Sequence, residues 1–330
     1  MFQRYRTLVL FCIFPSLLAA QPAVVQQVKS LRQKKFAKTV PAGNYSGIAP
    51  LGGGLYAVVD DKAKTDGFHL MRILQDSVTG KLREVRHEGF VSSGLANRDE
   101  EGIAYRATDS TVYIAGERDN AVLQYRLNGS PTGRRLQVPA CLRRTKSNRG
   151  LESLTCCSLT HRFWTTTECA VMGDREGQHV LQAFDDDLLP TDSVRYETHF
   201  DLRGKYAADV AGISDLLALP DGSLLVLERR IHTAKPRYLG SFADCALYHI
   251  PAKALRKGGI IAKSQSRQIW RKKTRINLTR RNFANYEGLC LGARLTDGRQ
   301  TVILVADSQN QYKGILRDWF NVIVLPHSYK

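Results

Sequence analysis

The chain has 330 residues, 43% of them hydrophobic, which is enough to bury a large core and too much for extensive disorder. Lys and Arg number 48 against 31 Asp and Glu, a formal net charge of +17, so an anionic ligand or surface is attracted at long range. Nucleic-acid binding is not indicated: the basic clusters at residues 143–149 and 267–281 carry no recognisable reading module, and they read as solvated basic faces.

Residues 1–20 place Arg4 and Arg6 ahead of an apolar run from Leu8 to Leu18 that closes on Ala19 and Ala20. This is the pattern of a secretory signal peptide and is too short to span a membrane. The mature chain is therefore expected to be exported, periplasmic or secreted, with no transmembrane segment. Loss of the leader removes Cys12 and leaves Cys141, Cys156, Cys157, Cys169, Cys245 and Cys290. An even number in an exported chain points to disulfides without fixing their pairing, and the Cys-x2-Cys spacing of a zinc site is absent. Residues 21–39 read as a lead-in with a short helix near 24–35, and residues 40–330 as one domain.

From residue 40 onward one grammar recurs five times: a short turn with a polar residue and Ile or Leu, then an apolar strand ending in acid. Ser46, Glu101, Glu152, Ser214 and Glu287 head the copies, at steps of 55, 51, 62 and 73 residues. The strands end at Asp60 and Asp61, Glu117, Glu168, Glu228 and Asp307. Between copies lie further short strands, with Asp-Gly turn signals at 221 and 297. Repeats of about four short strands are the signature of an all-β fold, the β-propeller. The long last step, and the need to close the ring with a strand from each terminus, favour six blades, one of them degenerate, over five.

The innermost strands of a propeller run the same way, so equivalent residues of different blades meet at one mouth of the channel. Asp60, Glu101, Glu117, Glu152, Glu168, Asp215, Glu228, Glu287 and Asp307 are then expected to converge. Such carboxylates repel one another unless a cation or nearby Arg and Lys offset them; Arg118, Arg229 and Arg230 stand close in sequence, and an oxygen-rich cluster suits Ca²⁺ or Mg²⁺. The competing reading is architectural, with the carboxylates accepting backbone N–H bonds that fix the blades.

The stretches NYSGIAPLGGGLYAVVDDK, GISDLLALPDGSLLVLERR and NYEGLCLGARLTDGRQTVILVADSQNQY resemble three motifs of the phytase-like family with esterase-like activity, a group of exported bacterial β-propellers. The likeness runs in order from about residue 40 to 325. It points to Ser46, Asp60, Asp61, Glu101, Glu152, Glu228, Arg229, Glu287 and Asp307. The family's closing Ser-Asp-Asn-Asn-Phe is replaced here by Ala306-Asp307-Ser308-Gln309-Asn310, and the strongly basic balance is not part of the motif.

The resemblance implies a hydrolase of ester or phosphoester bonds acting on a small, anionic substrate. Glu101, Glu152, Glu228, Glu287 and Asp307 are its candidate catalytic carboxylates, with Glu287 or Glu101 as general base on water. Arg229, Ser46 and His232 are candidate substrate contacts. Asp60, Asp61, Glu287 and Asp307 are candidate ligands of a Ca²⁺ ion that would polarise the reacting oxygen. A serine esterase is not indicated, since no Gly-x-Ser-x-Gly elbow occurs, and the scattered histidines form no His-Glu-x-x-His motif. The alternative is a non-catalytic propeller that binds a ligand or protein partner.

Overall fold

A computed structural model describes residues 28–157, 159–200, 209–235, 237–256, 258–277 and 282–329. The leader expected at residues 1–20 lies outside the described residues. No helix among those described is long and apolar enough to cross a membrane.

A two-residue strand, β1 (Lys29–Ser30), comes first in the chain and last in its sheet. The first blade is β2 (Tyr45–Gly52), β3 (Leu55–Asp60), β4 (Thr65–Gln75) and β5 (Leu82–Ala96), and the second is β6 (Glu100–Arg106), β7 (Thr111–Gly116), β8 (Ala121–Arg126) and β9 (Pro131–Arg135). The third comprises β10 (Leu151–Cys157), β11 (Arg162–Thr167), β12 (Gln178–Phe184) and β13 (Pro190–Glu197), and the fourth begins with β14 (Val210–Ala218), β15 (Leu224–His232) and β16 (Phe242–Ile250). A short β17 (Ile260–Ile261) crosses to pair in parallel with β13, and β18 (Arg267–Arg275) then completes the fourth blade. The fifth is β19 (Asn285–Arg294), β20 (Gln300–Asp307) and β21 (Phe320–Val324), with β1 as its outermost strand.

The first strands close a ring, β2 packing on β6, β6 on β10, β10 on β14, β14 on β19, and β19 back on β2. The described residues therefore form a β-propeller of five blades, one per repeat, sealed by strands from both ends of the chain. The preference for six blades is corrected to the alternative of five: the 73-residue step belongs to one blade, its extra length spent on the β16–β18 connection that carries β17. The helix expected near 24–35 is not formed over its described part, where residues 29–30 pair with β21 and Lys34 bridges to Phe320.

Each blade has neighbours on both faces, which is why its strands read as unbroken apolar runs. Successive residues feed opposite packets, since side chains alternate along a strand. Val302, Leu304 and Ala306 of β20 enter the packet shared with the fourth blade, while Ile303 and Val305 enter the packet shared with the first. The same alternation disposes of the expected disulfides. All six described cysteines are free thiols, Cys156 and Cys157 falling into different packets and Cys245 and Cys290 likewise.

In all five blades the register between the first two strands slips at the residue that heads the repeat. The slips fall at Tyr45/Ile48, Glu100/Gly102, Leu151/Ser153, Ile213/Asp215 and Tyr286/Gly288. Ser46, Glu101, Glu152, Ser214 and Glu287 are thus bulge residues, and a bulge re-aims its side chain out of the ladder. The bulges pack backbone to backbone around the ring. A Cβ on Gly102 would lie 2.6 Å from the Leu154 nitrogen, and one on Gly288 would lie 2.5 Å from the Ser46 oxygen. At the equivalent place in the fourth blade, the buried Asp215 carboxylate fills the space, accepting the Leu289 N–H at 2.8 Å and the Leu216 N–H at 2.8 Å. Gly288→Ala is expected to lower stability by about 1–3 kcal/mol through overpacking, read as a fall in urea midpoint at unchanged slope; an unchanged midpoint would contradict the packed ring.

Candidate active site

The ladder register decides which residues face the channel. The residues preceding the bulges, Tyr45, Glu100, Leu151, Ile213 and Tyr286, pair with Asp60, Gly116, Thr167, Glu228 and Ala306. One residue further along each second strand stand Asp61, Glu117, Glu168, Arg229 and Asp307. Two rings of five equivalent positions result: the bulge residues, and this set of four carboxylates and one guanidinium.

Arg229 is buried and ties the rings together. Its Nη2 donates to Glu152 Oε1 at 2.9 Å and to Glu168 Oε1 at 2.9 Å. Its Nη1 donates to Glu287 Oε1 and, at 3.3 Å, to Asn285 Oδ1. The remaining donor, Nε, is buried with no partner. Arg149 binds the other oxygen of Glu168, Lys62 bridges Asp61 at 2.7 Å and Asp99 at 3.2 Å, and Glu117 accepts the Gly150 N–H at 3.0 Å.

Seven carboxylates, Asp61, Glu101, Glu117, Glu152, Glu168, Glu287 and Asp307, thus meet three cations, Arg229, Arg149 and Lys62, among the described residues. The excess shows in their proton affinities. Burial, then the charges of Glu287, Asp61 and Glu117, raise the Glu101 carboxyl well above the usual range. Burial and then Glu168 and Glu101 raise Glu152; burial and then Glu287 raise Asp307. Burial raises Glu287 against the pull of Arg229. Glu168 goes the other way: burial works to raise it, and Arg229 and Arg149 outweigh burial and hold it ionised.

Of the expected site residues, the structure brings together Ser46, Asp61, Glu101, Glu152, Arg229, Glu287 and Asp307. It does not bring Glu228, Asp60 or His232 to them. Glu228 points to the opposite face of β15, accepting the Tyr196 hydroxyl at 2.6 Å and the backbone N–H of His199 at 2.9 Å and of Phe200 at 3.2 Å. Asp60 accepts the N–H of Asn44 and Lys62 beside His69. His232 lies near Asp209 and Phe242. Arg149, Lys62 and Asn285 were absent from the expected set. Arg149 ends a basic stretch read as solvated, and only its nearness to the third repeat head hinted at a role.

Glu117, Glu152 and Glu168 are the described residues with metal-ligand spacing, their closest oxygens within 4.8 Å of one another. Ca²⁺ takes about 6–8 oxygens, whereas here Arg229 and Arg149 already hold Glu152 and Glu168. The Ca²⁺ set Asp60, Asp61, Glu287 and Asp307 is split by the outward turn of Asp60.

Beside the mouth, between the fourth and fifth blades, a cavity of about 90 Å³ has an apolar wall of Ile231, Ile276, Phe283, Ile315 and Leu316, with Asn285 and Asp307 among its polar lining residues. At the other mouth an apolar cavity of about 420 Å³ is lined by the far ends of the inner strands, among them Leu51, Tyr105, Leu217 and Leu291.

A family model described as phytase-like, esterase-like activity of phytase, matches residues 40–309. No curated protein matches the chain. Among solved structures, a streptogramin B lyase is 10% identical with a TM-score of 0.40, over 90% of this chain and 98% of that one. The glutaminyl cyclase of Myxococcus xanthus is 11% identical with a TM-score of 0.42, over 91% and 97%. The WD40 propeller domain of Doa1 is 10% identical with a TM-score of 0.35, over 92% and 99%.

Two outcomes test the cluster. Arg229→Met strips three carboxylates of their counter-ion and is expected to cost about 3–5 kcal/mol near neutral pH. The loss should shrink at about pH 5, where the carboxylates take up protons; urea unfolding showing equal losses at both pH values would refute the ion cluster. Glu101 binds its proton more tightly folded than unfolded, so its contribution is complete below the ordinary value of 4.5 and is lost as pH rises through the native one. Glu101→Gln is therefore expected to raise the thermal midpoint at about pH 8 by a few degrees and leave it nearly unchanged at about pH 5.

Proposed function

This chain belongs to the phytase-like family with esterase-like activity, and from that premise we propose that it hydrolyses carboxylic esters among the carboxylates at the channel mouth. The observation that carries the reading is the unequal pairing within one cluster: Glu168 is bonded to both Arg229 and Arg149, which favours its ionised form, whereas Glu101 lies among other carboxylates and its proton affinity is raised. Neighbouring carboxyls pushed apart in this way divide into acid and base roles.

Glu287 is the base in this reading. Arg229 and Asn285 both bond to its Oε1, which fixes the group and leaves Oε2 out of both bonds. Oε2 takes a proton from water as the water oxygen attacks the ester carbonyl. The protonated carboxyl of Asp307, raised by burial and by Glu287, donates to the oxyanion that develops. Glu101 gives its proton to the departing alkoxide, and the proton gained by Glu287 restores the starting state. The apolar cavity next to Asp307 takes the acyl or alkyl group.

The local charge favours a carboxylic over a phosphoric ester. A phosphate group would meet an excess of carboxylates, and the guanidinium of Arg229 is already bonded to three of them. This reading also works without Ca²⁺, because the residues at hand do not fit that ion, and no step runs through a metal. Export on the leader at residues 1–20 remains part of the proposal, supported by Arg4, Arg6 and the apolar run that follows.

The test is hydrolysis of short-chain carboxylic esters, a simple phosphomonoester, a phosphodiester and an inositol polyphosphate, each with Ca²⁺ and with chelator. Turnover of the carboxylic ester alone, indifferent to chelator, is expected, with Glu287→Gln and Glu101→Gln each lowering kcat about 10²–10⁴-fold. Chelator-sensitive phosphate release would overturn the assignment. Silence from folded protein across all substrates would favour a binding propeller.

A further inference from the structure

A further cavity lies away from the channel. It is a groove of about 960 Å³ on the outer flank, between β18 of the fourth blade and the β1 edge of the fifth. Its charged lining is Arg32, Arg267, Arg271 and Lys272, with no carboxylate among the described lining residues. Among the described residues only Arg271 is ion-paired there, to Asp244 at 2.7 Å. Arg267 instead caps the Tyr329 ring and donates to its hydroxyl, and Lys272 reaches the Tyr286 hydroxyl at 3.3 Å. Burial pulls the Lys272 ammonium down to about 8, the response of a cation placed in a recess without a counter-charge.

The uncharged lining is made of hydrogen-bonding groups. The amide oxygens of Gln268 and Asn282 accept from the Tyr248 hydroxyl and the Arg275 N–H, which leaves their NH₂ groups as donors. The Trp319 indole N–H, in the same lining, is buried without an acceptor. We propose that this groove binds an anionic polysaccharide, its acidic groups held by Arg32, Arg267 and Lys272 and its hydroxyls by Gln268 and Asn282.

Size, shape and chemistry separate this ligand from other polyanions. The volume stands at the top of the range of about 300–1,000 Å³ for small-molecule pockets, room for several linked units. Single-stranded nucleic acids bind by stacking successive bases on a series of open aromatic faces. Of the three lining aromatics, Trp270 and Tyr329 are only 6% and 5% exposed, the Tyr329 ring lies against Arg267 and His249, and half-buried Trp319 stands alone. Membrane surfaces are gripped by protruding apolar side chains beside basic ones, and none of the exposed large hydrophobic residues lines the groove. Basic residues also guard an edge strand such as β18 against pairing, but that role calls for no recess and does not explain Arg32.

The test uses the full chain and a fluorescently labelled oligogalacturonate, with a neutral oligosaccharide of equal length and an oligothymidylate as comparators, read by anisotropy. The oligogalacturonate is expected to bind, to quench tryptophan fluorescence, and to bind about a hundredfold more weakly to the Arg32→Gln/Arg267→Gln/Lys272→Gln variant. A control variant, Arg83→Gln/Arg86→Gln/Arg175→Gln, removes the same net charge elsewhere and should bind as the parent does. Ester turnover at the channel should be the same in all three proteins, so failure here is distinguishable from failure of the hydrolase assignment. Equal binding by parent and groove variant, equal loss in the control variant, or oligothymidylate binding as tightly as oligogalacturonate would each overturn the proposal.

Discussion

Arg229 comes from the fourth blade and its carboxylate partners from the third and fifth, so a single guanidinium joins three blades at the point where they are closest. Removing one partner of a buried ion pair leaves an uncompensated charge in a poorly solvated place, which is why such pairs constrain more than they stabilise. Here the constraint has a surplus: the carboxylates outnumber the cations, and the remainder keep their protons. A cluster of this kind holds ionised and protonated carboxyls side by side, the condition for acid–base work on one substrate.

The bulges make the cluster possible. Without the slip at each repeat head, Glu101, Glu152 and Glu287 would continue the alternation of their strands. The same slips bring neighbouring backbones so close that small residues are needed beside them, as at Gly102 and Gly288. Stability of the ring and composition of the site are thus set by the same few residues. Around this acidic centre the surface is strongly basic, and charge is divided by location: carboxylates at the channel mouth, basic side chains in the groove on the flank. Attraction of anions by the net charge of +17 and the chemistry of the channel concern different parts of the molecule.

Much of this was legible in the sequence, because a propeller writes its ring as a period. The five repeat heads marked a propeller, and the convergence of Glu101, Glu152, Glu287 and Asp307 followed from their equivalence. What the period could not carry was register. Glu228 and Arg229 are adjacent, and a shift of one residue sends a side chain to the other face of the sheet. The acid of the fourth repeat therefore faces Tyr196, and its neighbour the arginine stands in the ring; Asp60 and Asp61 divide in the same way. Asp215 matched the acids in sequence, yet its carboxylate closes the ring by binding backbone N–H groups. Blade number was obscured by the long β16–β18 connection, and free thiols in separate packets looked in sequence like partners for disulfides.

Infrared difference spectroscopy of carboxyl groups during a pH titration tests the Arg229-centred cluster most directly. Protonated carboxyl absorption persisting to about pH 7, well above the ordinary carboxyl range near 4, is expected, with part of that signal lost in Glu101→Gln. A protein whose carboxyl absorption has vanished by about pH 6, with no difference in the variant, would contradict a site built on more carboxylates than its cations can neutralise.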